Sequence, residues 1–258
     1  MSTVLYPSPV FGPVKSRRLG ISLGINLMPA DGKICTFDCI YCECGFNDDH
    51  RPKSHRPTPQ EVSETLETVL QRMNGEGQLP DVITFAGNGE PTAHPQFETI
   101  IDDVLRLRSA YAPLAKVSVL SNGMHIHNES VYRALMKVDN NIQKLDTANL
   151  SYIMRVNRPR LKYSVENQVE LMARFNGHVI IQTMFMKGSM DGEDVSNVSE
   201  EYVKPWLEAL QKIQPSQVMI YTIDRETPAR GLQKATREEL DDIVRRVQAL
   251  GISASASY

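Results

Sequence analysis

Val82-Ile83-Thr84-Phe85-Ala86 runs directly into Gly87-Asn88-Gly89-Glu90-Pro91-Thr92, so an apolar stretch stops at a glycine-rich polar turn. A run this short between turn signals predicts a strand buried on both faces. The same unit repeats on either side. Upstream, Leu19 to Leu27 reads as a first strand ending at Met28-Pro29. Thr58-Pro59-Gln60-Glu61 is then a helix start: a capping Thr, a Pro in the first turn and a Glu at the capping-box position. Val62, Leu66, Val69, Leu70 and Met73 follow at helical spacing. Downstream, strands at Val117 to Leu120, Ile142 to Leu145, Val179 to Phe185 and Val218 to Thr222 alternate with helices. Those helices carry Phe97 to Leu105, Val131 to Met136, Val165 to Phe175, Val203 to Leu210 and Leu240 to Leu250. Gly251 reads as the last C-cap and Ile252 to Ala256 as a tail strand.

About six strand-then-helix units with no long linker predict one α/β domain over residues 1–258, built on a parallel sheet. Residues 1–18 are expected to be an N-terminal extension packed on it. Periodicity does not separate an open doubly wound sheet from a barrel. Either fold places its polar loops, and its site, at the C-terminal ends of the strands.

Composition narrows the class. Of 258 residues, 41% are hydrophobic and 23% charged, which suits a globular chain long enough to bury a core without disulfides. The net charge of −3 gives no global positive field for nucleic acid, although a local patch would suffice. No stretch approaches the ~20 apolar residues of a membrane span. Met1 to Gly20 lacks the apolar core of a signal peptide. The expected location is the cytoplasm, with no membrane partner.

All four cysteines lie between Cys35 and Cys44. A disulfide framework would spread them to close loops; crowding points to a metal or cluster site in a reducing compartment. Cys35-Thr36-Phe37-Asp38-Cys39-Ile40-Tyr41-Cys42 is a C-x3-C-x2-C run directly after the first strand. Three thiolates so spaced suit one corner of a cubane iron–sulfur cluster, and would leave one iron open where most clusters take four cysteines. The competing metal is zinc, held by these three with Cys44, His50 or His55, but the usual second ligand hook is missing downstream.

At these residues the sequence resembles the radical S-adenosylmethionine (SAM) superfamily, whose signature is a C-x3-C-x-aromatic-C loop after the first strand; Tyr41 fills the aromatic slot. Gly87-Asn88-Gly89-Glu90-Pro91-Thr92 resembles the family's Gly-Gly-Glu motif. Ser121-Asn122-Gly123, Asp146 and Gln182-Thr183 lie where that family contacts its cofactor. Within the superfamily, Gly12 to Asn26 and Asp224-Arg225-Glu226-Thr227-Pro228-Ala229 resemble iron–sulfur oxidoreductases related to wybutosine synthesis. In the second segment Glu226-Thr227 departs from that group's pattern.

The resemblance implies a partial (β/α)6 TIM-like barrel with a [4Fe–4S] cluster on Cys35, Cys39 and Cys42, and SAM at its open iron. It implies reductive cleavage of SAM to a 5′-deoxyadenosyl radical that abstracts a substrate hydrogen, with flavodoxin or ferredoxin as electron donor. Tyr41, Gly87, Gly89, Glu90, Ser121, Asn122, Asp146 and Gln182 are the implied SAM contacts. Gly87 and Gly89 would let backbone carbonyls approach the methionine amino group, so that Val at Gly89 would block SAM and spare the cluster. Glu90 would accept from that ammonium or brace its loop. Tyr41 reads equally as an adenine neighbour or a core aromatic. No catalytic side chain is singled out.

Alternatives stay open at this point: a glycyl-radical activating or peptide-modifying enzyme, or a non-catalytic iron–sulfur or zinc regulator. Cys44 reads as a spectator thiol, and His125 and His127 as loop residues. Arg51, Lys53 and Arg56 form one basic run; Arg155, Arg158, Arg160 and Lys162 form another, read as a loop after the fourth strand. Such runs are usually solvated faces. Together at the barrel mouth they would suit an anionic small molecule, a peptide or RNA phosphates as substrate. Aromatics for base stacking (Phe46, Tyr152, Tyr163) are sparse there.

Overall fold

The structure, a computed structural model, describes residues 3–16 and 20–258. β1 (Val10–Ser16) pairs antiparallel with β2 (Gly20–Ile25). The sheet continues in parallel through β3 (Val82–Phe85), β4 (Lys116–Ser121), β5 (Asn140–Lys144) and β6 (Ile180–Met184). There the chain leaves for a small antiparallel sheet, β7 (Met186–Met190) and β8 (Glu193–Asp194), before β9 (Gln217–Tyr221) rejoins beside β6. β10 (Leu232–Lys234) completes the small sheet against β7, and β11 (Ser253–Ser257) ends the large one in parallel with β9.

The strand order β1-β2-β3-β4-β5-β6-β9-β11 decides the architecture. A doubly wound sheet reverses its order at a switch point. Here every parallel strand is added on the same side of the last. Right-handed crossovers then put all helices on one face, and the sheet curls as an incomplete barrel.

The connecting helices are α1 (Pro59–Gly75), α2 (Phe97–Tyr111), α3 (Glu129–Lys137), α4 (Leu150–Val156), α5 (Val165–Ala173), α6 (Glu200–Ile213) and α7 (Arg237–Ala249). α1 opens with the expected capping box, Thr58 and Glu61 each satisfying the other's backbone N–H. α7 repeats the device with Thr236 and Glu239. Gly251 takes φ +79° just past α7, where a Cβ would be strained.

Strand alternation divides two apolar regions. Val117 and Val119 of β4, Ile83 and Phe85 of β3 and Ile181 of β6 join the core beneath the helices. Their neighbours in the strands, Leu120, Ile142 and Ile180, form a separate cluster with Met219 on the inner face. Trp206 on α6 is fully buried in the outer core, its Nε1–H donating to Leu145 O at 3.0 Å and its ring edge-on to Phe185 at 5.2 Å.

Two features differ from the sequence reading. Within the expected 1–18 extension, residues 10–16 are an edge strand of the sheet itself. Arg17, Arg18 and Leu19, inside the Gly12–Asn26 segment, lie outside the described residues. Arg155, expected in a loop, sits on α4, a helix of under two turns that begins at Asn149, whose side chain accepts from Tyr152 N. No helix among the described residues is long and apolar enough to cross a membrane.

Trp206→Ala removes both a large packed ring and the donor to Leu145 O. Denaturant unfolding should show a loss of about 3–5 kcal/mol; a loss under about 1 kcal/mol would mean that α6 does not anchor the outer core.

Candidate active site at the strand ends

The cysteine loop between β2 and α1 has almost no regular structure, yet it is held at every turn. Ile34, the residue before Cys35, forms an isolated parallel bridge with Gly89. Its N–H donates to Asn88 O at 3.0 Å, and its carbonyl accepts from Glu90 N at 3.1 Å. Gly89 has φ +140°, and a Cβ there would stand 1.8 Å from Ile34 O. Glycine is therefore required at this position by the loop's own backbone. Gly87 is similar: a Cβ would meet the Asn26 side chain at 2.8 Å. The expectation that bulk at Gly89 would spare the cysteine loop does not hold.

Asn47 ties the loop internally. Its Oδ1 accepts from Cys35 N at 2.9 Å, and its Nδ2 donates to Phe37 O at 2.9 Å. Phe37 and Ile40 anchor the loop in an apolar cluster with Met124, Tyr152, Val156, Met184 and Met186. Ala229 N donates to Ile40 O at 3.2 Å, which places the Asp224–Ala229 segment over the loop. Arg225 adds an ion pair to Glu43 at 2.6 Å.

Glu90 is buried and braces the neighbouring loop. One carboxylate oxygen accepts from Asn122 N at 2.7 Å, and the other from Thr92 N at 3.1 Å. Burial pushes its carboxyl up from the ordinary value while these donors oppose the shift. Asn122 Nδ2 reaches Thr36 Oγ1 at 2.9 Å and Cys35 Sγ at 3.6 Å. Ser121 Oγ accepts from Gly123 N at 3.0 Å.

A second group gathers on the inner face of β5. Tyr41 donates its hydroxyl to Asp146, whose other oxygen accepts from Met184 N at 3.0 Å. Lys144 Nζ donates to Tyr41 Oη at 2.7 Å and lies 3.5 Å from Asp146. Burial disfavours the Lys144 charge, but Asp146, Tyr221 and Cys39 outweigh it and hold the ammonium above the usual lysine value. Asn157 Nδ2 donates to Asp146 at 2.7 Å and reaches Cys39 Sγ at 3.5 Å. Gln182 is paired in register with Lys144 across the β5–β6 ladder.

The thiols carry no disulfide. Cys44 donates its Sγ–H to Gly87 O at 3.4 Å. The neighbouring Cys44 and the Lys33 ammonium hold the Cys42 thiol below its ordinary value against the effect of burial. Burial pushes Cys35 up to about 12. Lys33 is buried and donates to Gly45 O at 2.5 Å. Burial works against its charge, but Cys42, Cys35, Cys39 and Asp38 raise its pKa overall. Of the histidines weighed as zinc ligands, His50 Nε2 bonds Thr3 at 2.8 Å and His55 Nε2 bonds Glu61 at 3.0 Å. Among the described residues, no three His, Cys, Asp or Glu side chains converge on a single-ion site.

The structure thus brings Cys35, Cys39, Cys42, Tyr41, Gly87, Gly89, Glu90, Ser121, Asn122 and Asp146 to one end of the sheet. Lys33, Lys144 and Asn157 join them without having been singled out. Lys144 was legible as a lone charge in a buried strand. Asn157 carried no local signal.

Comparison with known proteins bears on the family and the fold. The profile described as the radical SAM superfamily matches residues 31–198. A UPF0026 protein of Helicobacter pylori (strain J99) is 30% identical over 234 residues, covering 90% of this chain and 71% of that protein. A radical SAM methyltransferase from Sphaerobacter thermophilus shares the fold at TM-score 0.69 and 16% identity, over 92% of this chain and 66% of that one. Archaeal TYW1 shares it at TM-score 0.53 and 12% identity, over 88% and 71%. The chain belongs to the radical SAM superfamily, whose members use a [4Fe–4S] cluster and S-adenosylmethionine.

Proposed function

We propose that Cys35, Cys39 and Cys42 hold a [4Fe–4S] cluster through three thiolates, and that the chain uses it to cleave SAM reductively for hydrogen abstraction from a bound substrate. The observation that carries this reading is the surroundings of the sulfurs: an amide N–H at Cys35 Sγ, another at Cys39 Sγ, and a buried ammonium beside the group. Buried thiolates are costly unless paired or hydrogen-bonded, and donors to sulfur stabilise a cluster's thiolate ligands.

When bound, cluster and SAM supply the one-electron chemistry, giving methionine and a 5′-deoxyadenosyl radical. The chain's residues supply position and dryness. Ile34 and Gly89 fix the depth of the cysteine loop. Glu90 sets Asn122 toward Cys35. Asp146, held by Tyr41, Asn157 and Met184 N, would accept from SAM, as would Ser121 and Gln182 from the neighbouring strands. Phe37, Ile40 and Met124 exclude water, which keeps a reactive radical from side reactions.

Anaerobic reconstitution should load about four irons and four sulfides per chain. Cys35→Ala, Cys39→Ala or Cys42→Ala should remove the brown chromophore, whereas Cys44→Ala should keep it. Equal loss in Cys44→Ala would replace the open-iron site by a four-cysteine one.

With dithionite and SAM, the loaded protein should release 5′-deoxyadenosine slowly without added substrate. No release from a protein with full iron content would exclude the proposed cleavage.

Gly89→Val should lose iron as well as SAM binding, because its Cβ displaces Ile34 and the loop behind it. Iron content at the wild-type level would mean that the Ile34 bridge is dispensable.

A further inference from the structure

We propose that the exposed face of α4, with the segment that follows it, docks an acidic one-electron donor protein carrying a flavin or an iron–sulfur centre. The inference rests on the reading that the three cysteines hold a cluster needing reduction.

The face is apolar with a cationic rim. Leu150 is 46% exposed, Met154 50% and Leu161 52%. Leu150 and Met154 stand one helical turn apart on the same side, while Tyr152, Ile153 and Val156 turn inward. From Thr147 to Val165 the sequence has no Asp or Glu, but it has Arg155, Arg158, Arg160 and Lys162. Arg155 is answered from outside by Glu193 at 3.6 Å. Arg158 donates to Arg155 O at 3.2 Å and lies over the Phe46 ring at 5.5 Å. Arg160 and Lys162 are exposed and have no carboxylate partner among the described residues.

A cationic patch on a chain of net charge −3 steers an acidic partner toward it. Its apolar part favours a protein over RNA. Tyr152 is buried and Tyr163 is edge-on to Phe37 at 5.7 Å, so neither offers a free ring for base stacking.

The segment that carries this face is bonded directly to the cysteine loop. Ile40 N donates to Val156 O at 3.0 Å, Asp38 N to Asn157 O at 2.9 Å, and Arg160 N to Thr36 O at 2.8 Å. Asn157 Nδ2 reaches Cys39 Sγ at 3.5 Å. One electron leaving the partner's reduced centre therefore crosses a single segment, with no bond made or broken and no proton moved.

The test is the triple variant Met154→Glu, Arg160→Glu, Lys162→Glu, with circular dichroism and iron content confirming its fold. Calorimetry with a bacterial flavodoxin and a bacterial ferredoxin at low salt should show binding of at least one to the wild type. That affinity should weaken as salt rises, and fall at least about tenfold in the variant. 5′-Deoxyadenosine formation driven by the reduced donor should fall likewise, while the dithionite-driven rate stays at the wild-type level. No binding of either donor by the wild type, or equal affinity in wild type and variant, overturns the proposal. RNA retention lost in the variant with donor affinity unchanged assigns the face to RNA instead. A wild type that loads no iron sinks the cluster reading, and one that loads iron but is inactive with dithionite sinks the cleavage; in both cases calorimetry still decides the docking.

Discussion

The backbone bridge between Ile34 and Gly89 is the constraint on which the site depends. A loop with almost no regular structure has few ways to hold three side chains in fixed relation. Here two main-chain hydrogen bonds make Ile34 one more rung beyond the end of the sheet, and Cys35 follows it immediately. From Glu90 the connection passes to Asn122 and then returns to Thr36 and Cys35. The ends of β2, β3 and β4 are thereby fastened in one closed circuit. Glu90 and Asn122 are buried, so breaking a bond of either strands a polar partner as well.

A second circuit, of Tyr41, Lys144, Asp146 and Asn157, fastens the other side of the same loop to β5 and α4. Two buried or nearly buried lysines face the thiols. Lys144 pairs with Asp146 at 3.5 Å and also faces Cys39. Lys33 pairs with Asp38 at 3.7 Å and faces Cys42, Cys35 and Cys39. A buried ammonium would be a liability if the cysteines stayed neutral. It becomes favourable once they carry negative charge.

Most of the fold was legible because buried parallel strands and amphipathic helices write their period directly into the residue order. Val82–Phe85 and α1 with its capping box are instances. The edge strand β1 was not, since Val10-Phe11-Gly12-Pro13-Val14 has a Pro and a Gly where alternation should run. α4 escaped because its seven residues are too few to show a period. At the site, cysteine spacing revealed the loop and the turn residues revealed its neighbours. What Gly89 is needed for was not visible, because the atom it makes room for belongs to Ile34, far away in sequence. Asn157 was invisible for the same reason: its bonds to Asp146 and Cys39 exist only after β5 and the cysteine loop have met.

The sheet's one-directional order explains how a small barrel accommodates these circuits. With all crossover helices outside, the outer core around Trp206 fixes the strands without involving their ends. The connections at those ends are then free to specialise. Between β5 and β6 the chain uses that freedom to insert α4 ahead of α5, and the insertion becomes the wall of the site. One face of it supplies Val156 and Asn157 to the cysteine loop, while the other carries Leu150 and Met154 outward. A helix of under two turns would be unstable alone. Its inward bonds to residues 36–40 hold it, so the order of this surface segment and the order of the thiols depend on the same contacts.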